Sequence, residues 1–292
     1  MAKTPAKGLV ALLRLPYWLM TGGLSLLTAL AVTKGNMSIS TVLLTFFSMA
    51  FITSAGFAIN DYFDKESDSI IKPNRPIPSG ALSLRQAIAI STFMFAVGLV
   101  LAVLINVLSL IILLIDSALL LIYSAFVKRR SGFAANILVG LLTGTAFLYG
   151  EAVTLAATTI SPLALSLESL SLYPIAFGTI GGNILRDVLS YEGDSKVGYP
   201  TLPKSVGNQG AVAIAAIFFA LTAILAPLPY FLTYFSVYYV APILIWGILL
   251  IYASIRLVTL PTTLENVKKY ERLITRSMML LILSLILEAI LG

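Results

Sequence analysis

A stretch of about 20 mainly apolar residues is long enough to cross the hydrocarbon core of a bilayer, and such stretches recur along this chain from end to end. Bounded by charge, Gly or Pro, they fall near residues 12–33, 40–63, 84–106, 108–127, 133–153, 162–189, 208–228, 233–257 and 270–291. This pattern predicts an all-α, polytopic membrane protein of about nine transmembrane helices. Composition points the same way. Only 11% of the 292 residues are charged and 59% are hydrophobic, whereas soluble domains carry roughly a quarter charged residues. No polar module interrupts the apolar runs, so residues 1–292 are expected to form a single transmembrane domain. The first run has basic residues before it, as a signal peptide does, but no small-residue cleavage site and soluble domain follow. It reads as a retained helix.

The distribution of basic residues orients these helices. With nine crossings, all but one of the 19 Lys and Arg residues fall at one face. They cluster before the first span, after the second (Lys65, Lys72, Arg75, Arg85), after the fourth (Lys128, Arg129, Arg130), after the sixth and after the eighth. Only Lys34 lies opposite. This is the asymmetry of a positive-inside topology, which predicts a cell-membrane protein with a cytoplasmic amino terminus and cytoplasmic even-numbered loops. It also accounts for the net charge of +6 without a nucleic-acid partner. Cysteine and histidine are both absent. That excludes disulfides, thiolate chemistry and the usual general base near neutral pH. Chemistry must come from carboxylates, Lys, Arg, Tyr, Ser, Thr and Asn.

Two acidic constellations share the basic face. The first ends the second span: Asn60-Asp61-Tyr62-Phe63-Asp64-Lys65-Glu66-Ser67-Asp68. In a helix each step of four residues drifts by only about 40°, so Asn60, Asp64 and Asp68 project from one stripe. Three prolines in Lys72-Pro73-Asn74-Arg75-Pro76-Ile77-Pro78-Ser79-Gly80 then end the helix and predict an ordered loop over the stripe. The second constellation ends the sixth span, where Asn183, Asp187, Ser190 and Asp194 fall within roughly 60° of one another by the same geometry. A turn-rich loop with Pro200 and Pro203 comes next. The two halves look related, although no residue-level repeat is evident.

Carboxylate and amide oxygens suit Mg²⁺, which prefers one or two carboxylates plus substrate phosphates to an all-protein cage. Two facing clusters would bracket one diphosphate, and the metal would neutralise charge as that group leaves. Arg75 and Lys128 are placed to take the remaining phosphate oxygens. The plainer reading of each cluster is a solvated helix end. Two like-spaced stripes, each headed by Asn, weigh against it, because gathering carboxylates in a low-dielectric bundle is unfavourable without a cation.

The first motif, Asn60-xxx-Asp64-xxx-Asp68 followed by Asn74-Arg75-Pro76-Ile77-Pro78-Ser79-Gly80, resembles the first signature of the UbiA superfamily of intramembrane prenyltransferases. Glu192-Gly193-Asp194-xxxx-Tyr199-Pro200-Thr201-Leu202-Pro203 resembles its second. Tyr123, Lys128 and Asn136 also stand where that family has a Tyr, a Lys and an Asn. The resemblance covers essentially the whole chain. It implies nine helices around a central cavity capped by cytoplasmic loops, with a polyprenyl diphosphate donor held through Mg²⁺. Ionisation would give an allylic cation, captured by an aromatic carbon or a hydroxyl oxygen on a lipophilic acceptor. Asn60, Asp64, Asp68 and Asp194 carry over as metal and diphosphate ligands. One departure is Ser190, where the family usually has an aspartate. Asp187, about a turn earlier, is expected to substitute as a ligand or to serve as an acceptor-side base. Arg75, Tyr123, Lys128, Asn136 and Asn183 complete the expected diphosphate site.

Within the family, the wording is similar to members that attach geranylgeranyl to the hydroxyl of geranylgeranylglyceryl phosphate in ether-lipid synthesis. Transfer to 4-hydroxybenzoate or a naphthoate is the alternative. An ion-coupled transporter is the reading from another class, but transporters place their ion sites on broken helices near the bilayer midplane. A CDP-alcohol phosphotransferase would need an Asp-Gly-xx-Ala-Arg element that is missing. Four further acids stand apart from the motifs. Asp116, inside the fourth apolar run, is a functional candidate unless it lies at the outer interface. Glu151, Glu168 and Glu288 fall near predicted outer ends, where solvation is expected.

Overall fold

The computed structural model describes residues 4–156, 162–196 and 198–292. Its elements are α-helices: α1 (Pro5–Leu13), α2 (Pro16–Val32), α3 (Ile39–Phe63), α4 (Lys65–Ile71), α5 (Leu84–Val103), α6 (Val107–Ile122), α7 (Lys128–Arg130), α8 (Gly132–Ala152), α9 (Pro162–Leu172), α10 (Phe177–Lys196), α11 (Leu202–Leu225), α12 (Leu228–Phe231), α13 (Val237–Thr259), α14 (Leu264–Ser277) and α15 (Met279–Leu291). Short polar residues start the long ones. Ser38, Ser83, Asn106, Ser131, Ser236 and Thr263 each accept a first-turn backbone N–H, which satisfies donors that lipid cannot.

Eight helical stretches among the described residues are long and apolar enough to cross a membrane. The sixth expected span, 162–189, is not one of them. It is broken into α9, a 3₁₀ turn at Tyr173–Ala176, and α10, which carries the polar second motif. This segment still runs from one face to the other. Ser169 on α9 donates to Glu151 at one end of α8, while Asn136 near the other end of α8 donates to Asp187 on α10. Pro174 lies in the 3₁₀ turn and cannot donate a helical hydrogen bond, which explains the break. The first span also differs from expectation: α1 precedes it, and Arg14, with φ of +49°, forms a left-handed joint to α2.

Helices pack in sequence order, and the last returns to the first. α2, α3, α5, α6, α8, α10, α11, α13 and α15 each touch the next, α15 closes on α2, and α2 also crosses to α8. The α2–α8 contact joins two apolar cores, one around Met49, Ile52, Leu113 and Tyr149, the other around Ile184, Phe219, Tyr239 and Trp246. It depends on Gly150. A Cβ there would sit 2.4 Å from the Ser25 carbonyl oxygen and 2.7 Å from Thr28 Cβ. Gly150→Ala is therefore expected to destabilise the protein by about 1–3 kcal/mol, read as a lower midpoint of thermal unfolding in detergent. An unchanged midpoint would show that the two helices have room to spare.

The outer-end acids correct the expectation of solvation. Glu151, Glu168 and Glu288 are 1%, 6% and 0% exposed. The reason is that polar groups travel into the packing with them. Ser169 donates to Glu151. Glu288 receives Lys34 and both the N–H and the hydroxyl of Ser236, pinning the first loop to the last helix. Asp116 is equally buried and accepts from the Thr145 hydroxyl at 2.6 Å. It lies seven residues, about 10 Å along the helix, before Tyr123.

Candidate functional site

α3 is 25 residues long, about 37 Å against a hydrocarbon core of roughly 30 Å. Its last turn therefore reaches past the apolar layer, and the first acidic motif sits there. Helical geometry continues through Asp64 into α4: the Asp64 N–H bonds to the Asn60 carbonyl and the Asp68 N–H to the Asp64 carbonyl. Asn60, Asp64 and Asp68 thus share one stripe. Asp64 and Asp68 are only 3% and 4% exposed, so the solvated-helix-end reading does not hold for them. Each is paired. Asp64 receives Lys128 Nζ, Asn60 Nδ2 at 2.9 Å and the Tyr199 hydroxyl at 3.1 Å. Asp68 receives Arg75.

The proline loop delivers Arg75 as an ordered turn. The Ser79 N–H bonds to the Arg75 carbonyl and the Leu82 N–H to the Pro76 carbonyl, while Ile77 and Leu82 are buried beneath. Burial works against the Arg75 charge, but Asp61 and then Asp68 outweigh it and hold its pKa above the usual range. Lys128 arrives by a different device. Residues Tyr123–Val127 form a π-helical turn, and a π turn inserts an extra residue that rotates the next side chains about the helix axis. The Lys128 ammonium then meets Asp64 and lies 5.3 Å from the Tyr199 ring centroid.

The second stripe lies alongside the first. A Cβ built on Gly193 of α10 would be 3.6 Å from Ile71 at the end of α4, so the two motif-bearing ends touch. From α10, Asp187 accepts Asn136 Nδ2 at 2.8 Å, and Asp194 accepts the Ser190 hydroxyl. Tyr199, in the loop after α10, bonds to both Asp64 and Ser67, the latter at 2.7 Å. Burial first, and then the Asp64 charge, raise its phenol to about 12 against the opposing Ser67 hydrogen bond. It stays protonated and donates. Lys72, at the end of α4, lies within electrostatic range of both stripes. Desolvation of its ammonium, then the Arg75 charge, lowers its pKa, and Asp68 and Asp194 oppose them. Among the described residues it is the cation of this loop with no carboxylate in ion-pair range.

Among the described residues, two buried atoms at the heads of the stripes have no hydrogen-bond partner: Asn60 Oδ1 and Asn183 Nδ2. They differ in kind. An unsatisfied buried oxygen beside Asp64 suits a hard cation. An unsatisfied N–H suits an anion such as a phosphate oxygen, and Arg186 already occupies the other end of the Asn183 amide. No three acidic side chains among the described residues converge closely enough to cage an ion unaided. Mg²⁺ takes one or two carboxylates and fills the rest of its shell with phosphate oxygens or water, and Asn60, Asp64 and Asp68 offer oxygens of the kind it takes.

Of the residues singled out by sequence, Asn60, Asp64 and Lys128 form one side-chain network, and Asp68 and Arg75 form a second that Asp61 shares. Asn136 and Asp187 form a pair beside them, Tyr123 and Asn183 lie at the level of these groups, and Asp194 closes the second side. Asp116 is not brought to them. Sequence reasoning passed over Asp61, Arg14, Lys72, Ser67 and Tyr199 as separate participants. Arg14 looked like one more positive-inside charge, and nothing in its spacing revealed the left-handed joint that turns it inward.

The UbiA prenyltransferase family profile matches residues 19–282. A digeranylgeranylglyceryl phosphate synthase of Natronomonas pharaonis is 37% identical over 233 residues, covering 79% of this chain and 80% of the relative. The enzyme of that name from Halobacterium salinarum is 36% identical over 76% of this chain and 77% of its own length. A solved structure described as giving mechanistic insights into digeranylgeranylglyceryl phosphate synthase in membranes superposes with a TM-score of 0.81. It is 31% identical, with 98% of this chain and 99% of that one covered. A UbiA homologue from Archaeoglobus fulgidus, bound to GPP and Mg²⁺, shares the fold at a TM-score of 0.68 and 19% identity, covering 97% of this chain and 100% of the homologue.

Proposed function

The chain belongs to the UbiA prenyltransferase family, and on that premise we propose that it transfers geranylgeranyl from its diphosphate to the hydroxyl of geranylgeranylglyceryl phosphate. The observation that carries the reading is the contact of two oxygen-rich helix ends, Asn60–Asp68 and Asn183–Asp194, under a canopy of Arg75, Lys72 and Lys128. Similarity to relatives of that name supports the choice of acceptor. Bound Mg²⁺ would neutralise charge on the departing diphosphate.

The chain's own residues would do the rest. Asn60, Asp64 and Asp68 from the first stripe, with Asp187 and Asp194 from the second, would hold the ion. Arg75, Lys128, Asn136, Asn183 and Tyr123 would take the phosphate oxygens and fix the C1–O bond at the mouth of the helices. When that bond breaks, its electron pair leaves with the diphosphate, and the acceptor hydroxyl oxygen closes on the allylic carbon. The hydroxyl proton passes to a neighbouring base. Membership of this family sets the transporter reading aside. By the distribution of basic residues, the motif face would be cytoplasmic.

Offering geranylgeranyl diphosphate with geranylgeranylglyceryl phosphate and 4-hydroxybenzoate in competition tests the acceptor. The expected product is the digeranylgeranyl ether. A prenylated benzoate as the main product would replace this reading with the aromatic one.

A further inference from the structure

Asp61 stands one residue off the Asn60–Asp64–Asp68 stripe, about 100° round the helix, and the transfer reaction as described gives it no part. Yet it is 2% exposed, too deep for a charge without work to do. Its Oδ1 accepts from two guanidiniums, Arg14 Nη2 at 2.5 Å and Arg75 Nη1 at 3.0 Å. Arg75 Nη1 also donates to Asp68. Three chain segments therefore meet at one oxygen: the α1–α2 joint, the end of α3 and the proline loop. Arg14 reaches it from a left-handed backbone, φ +49°, with its guanidinium 4.4 Å from the Phe57 ring centroid. An unfavourable conformation of a non-glycine residue persists where surrounding contacts over-determine it.

The pairing raises a question of charge. Asp64 and Asp68 are occupied by Lys128 and Arg75, but on the diphosphate reading, on which this inference rests, both carboxylates turn to the cation and both bases to phosphate. Arg75 then gives up Asp68. Asp61 lies off the stripe and already has two arginines, so its hold on Arg75 survives the exchange. We propose that Asp61 is a positioning residue, which keeps Arg75 aimed at the diphosphate while Asp68 is released to the metal, and that Arg14 anchors Asp61 in turn. Without it, the Arg75 side chain would follow Asp68 or swing to water. The diphosphate would then meet a mobile cation in place of a fixed one.

The test is equilibrium binding of inorganic pyrophosphate with Mg²⁺ to the full chain in lipid nanodiscs, measured by calorimetry, alongside steady-state transfer. Asp61→Asn should weaken pyrophosphate about ten- to a hundredfold, the scale of one charge-assisted hydrogen bond, and raise the donor KM by a similar factor with a much smaller change in kcat. Arg75→Gln should weaken it comparably, and the double variant should be no weaker than Arg75→Gln alone. Asp61→Glu, which keeps the charge but moves it by one methylene, replaces Asp61→Asn in the same cycle if the latter does not fold, with the same direction expected. Wild-type pyrophosphate affinity in the Asp61 variant, or additive effects in the double variant, overturns the proposal. Failure of the wild-type protein to bind Mg-pyrophosphate would instead remove the diphosphate reading beneath it.

Discussion

Asp64→Asn is expected to lower prenyl transfer about 10²- to 10³-fold with the helical fold intact, and Asp68→Asn to do nearly the same. The variant side chain has the shape of the original, so packing at a residue 3% exposed is preserved. What changes is charge. A carboxamide offers a cation one neutral oxygen, and it would turn either that oxygen or an NH₂ group toward Lys128, which now donates to Asp64. Weakening the hold on a cation that stabilises the departing anion is expected to cost about 3–4 kcal/mol, the scale of one lost electrostatic contact in the transition state, which the transition-state relation converts to the stated factor. Single-turnover transfer from geranylgeranyl diphosphate, with circular dichroism to confirm the helices, measures it. Normal turnover in both variants, or full activity in excess chelator, would remove the metal-diphosphate mechanism.

Gly132→Ala should be nearly as damaging, although Gly132 carries no chemistry. It opens α8, and its N–H donates to the Pro200 carbonyl at 2.6 Å. A Cβ would lie 2.4 Å from that oxygen, 2.6 Å from Thr201 Cα and 2.9 Å from the Leu202 nitrogen. All three are backbone atoms, so no rotamer change can relieve the clash and the loop must move. That loop holds Tyr199 against Asp64 and Ser67, and Lys128 rests beside the same ring. A shift of about 1 Å in a positioning element can cost about a hundredfold, and that is the loss expected in kcat/KM. Tyr199→Phe, which removes the hydroxyl but leaves the loop in place, should lose much less. Wild-type kinetics in the alanine variant would mean that the loop does not set the geometry of the carboxylates.

Several features were legible without coordinates because they arise from local periodicity. The apolar runs marked eight of the crossings, and i, i+4 spacing put Asn60, Asp64 and Asp68 on one stripe. The prolines after Lys72 signalled an ordered turn. The sixth crossing was legible as a length of chain but not as a broken helix, since its Pro174 sits in a run that otherwise reads as continuous. Glu151, Glu168 and Glu288 were misjudged for a related reason. Distance along a helix says how near a residue is to the membrane surface, but not which side of the helix faces protein.

The amino-acid sequence by itself determined the helices, their alternation across the bilayer and the two oxygen-rich ends, because hydrophobic length and helical period are properties of neighbouring residues. Tertiary structure alone decided which cation meets which carboxylate. Arg14 and Asp61 are separated by 47 positions, Lys128 and Asp64 by 64, and Tyr199 and Asp64 by 135. Those pairings depend on a left-handed joint, a π turn and a glycine contact that set the angles at which side chains arrive, and such angles are properties of packed helices that no local pattern records.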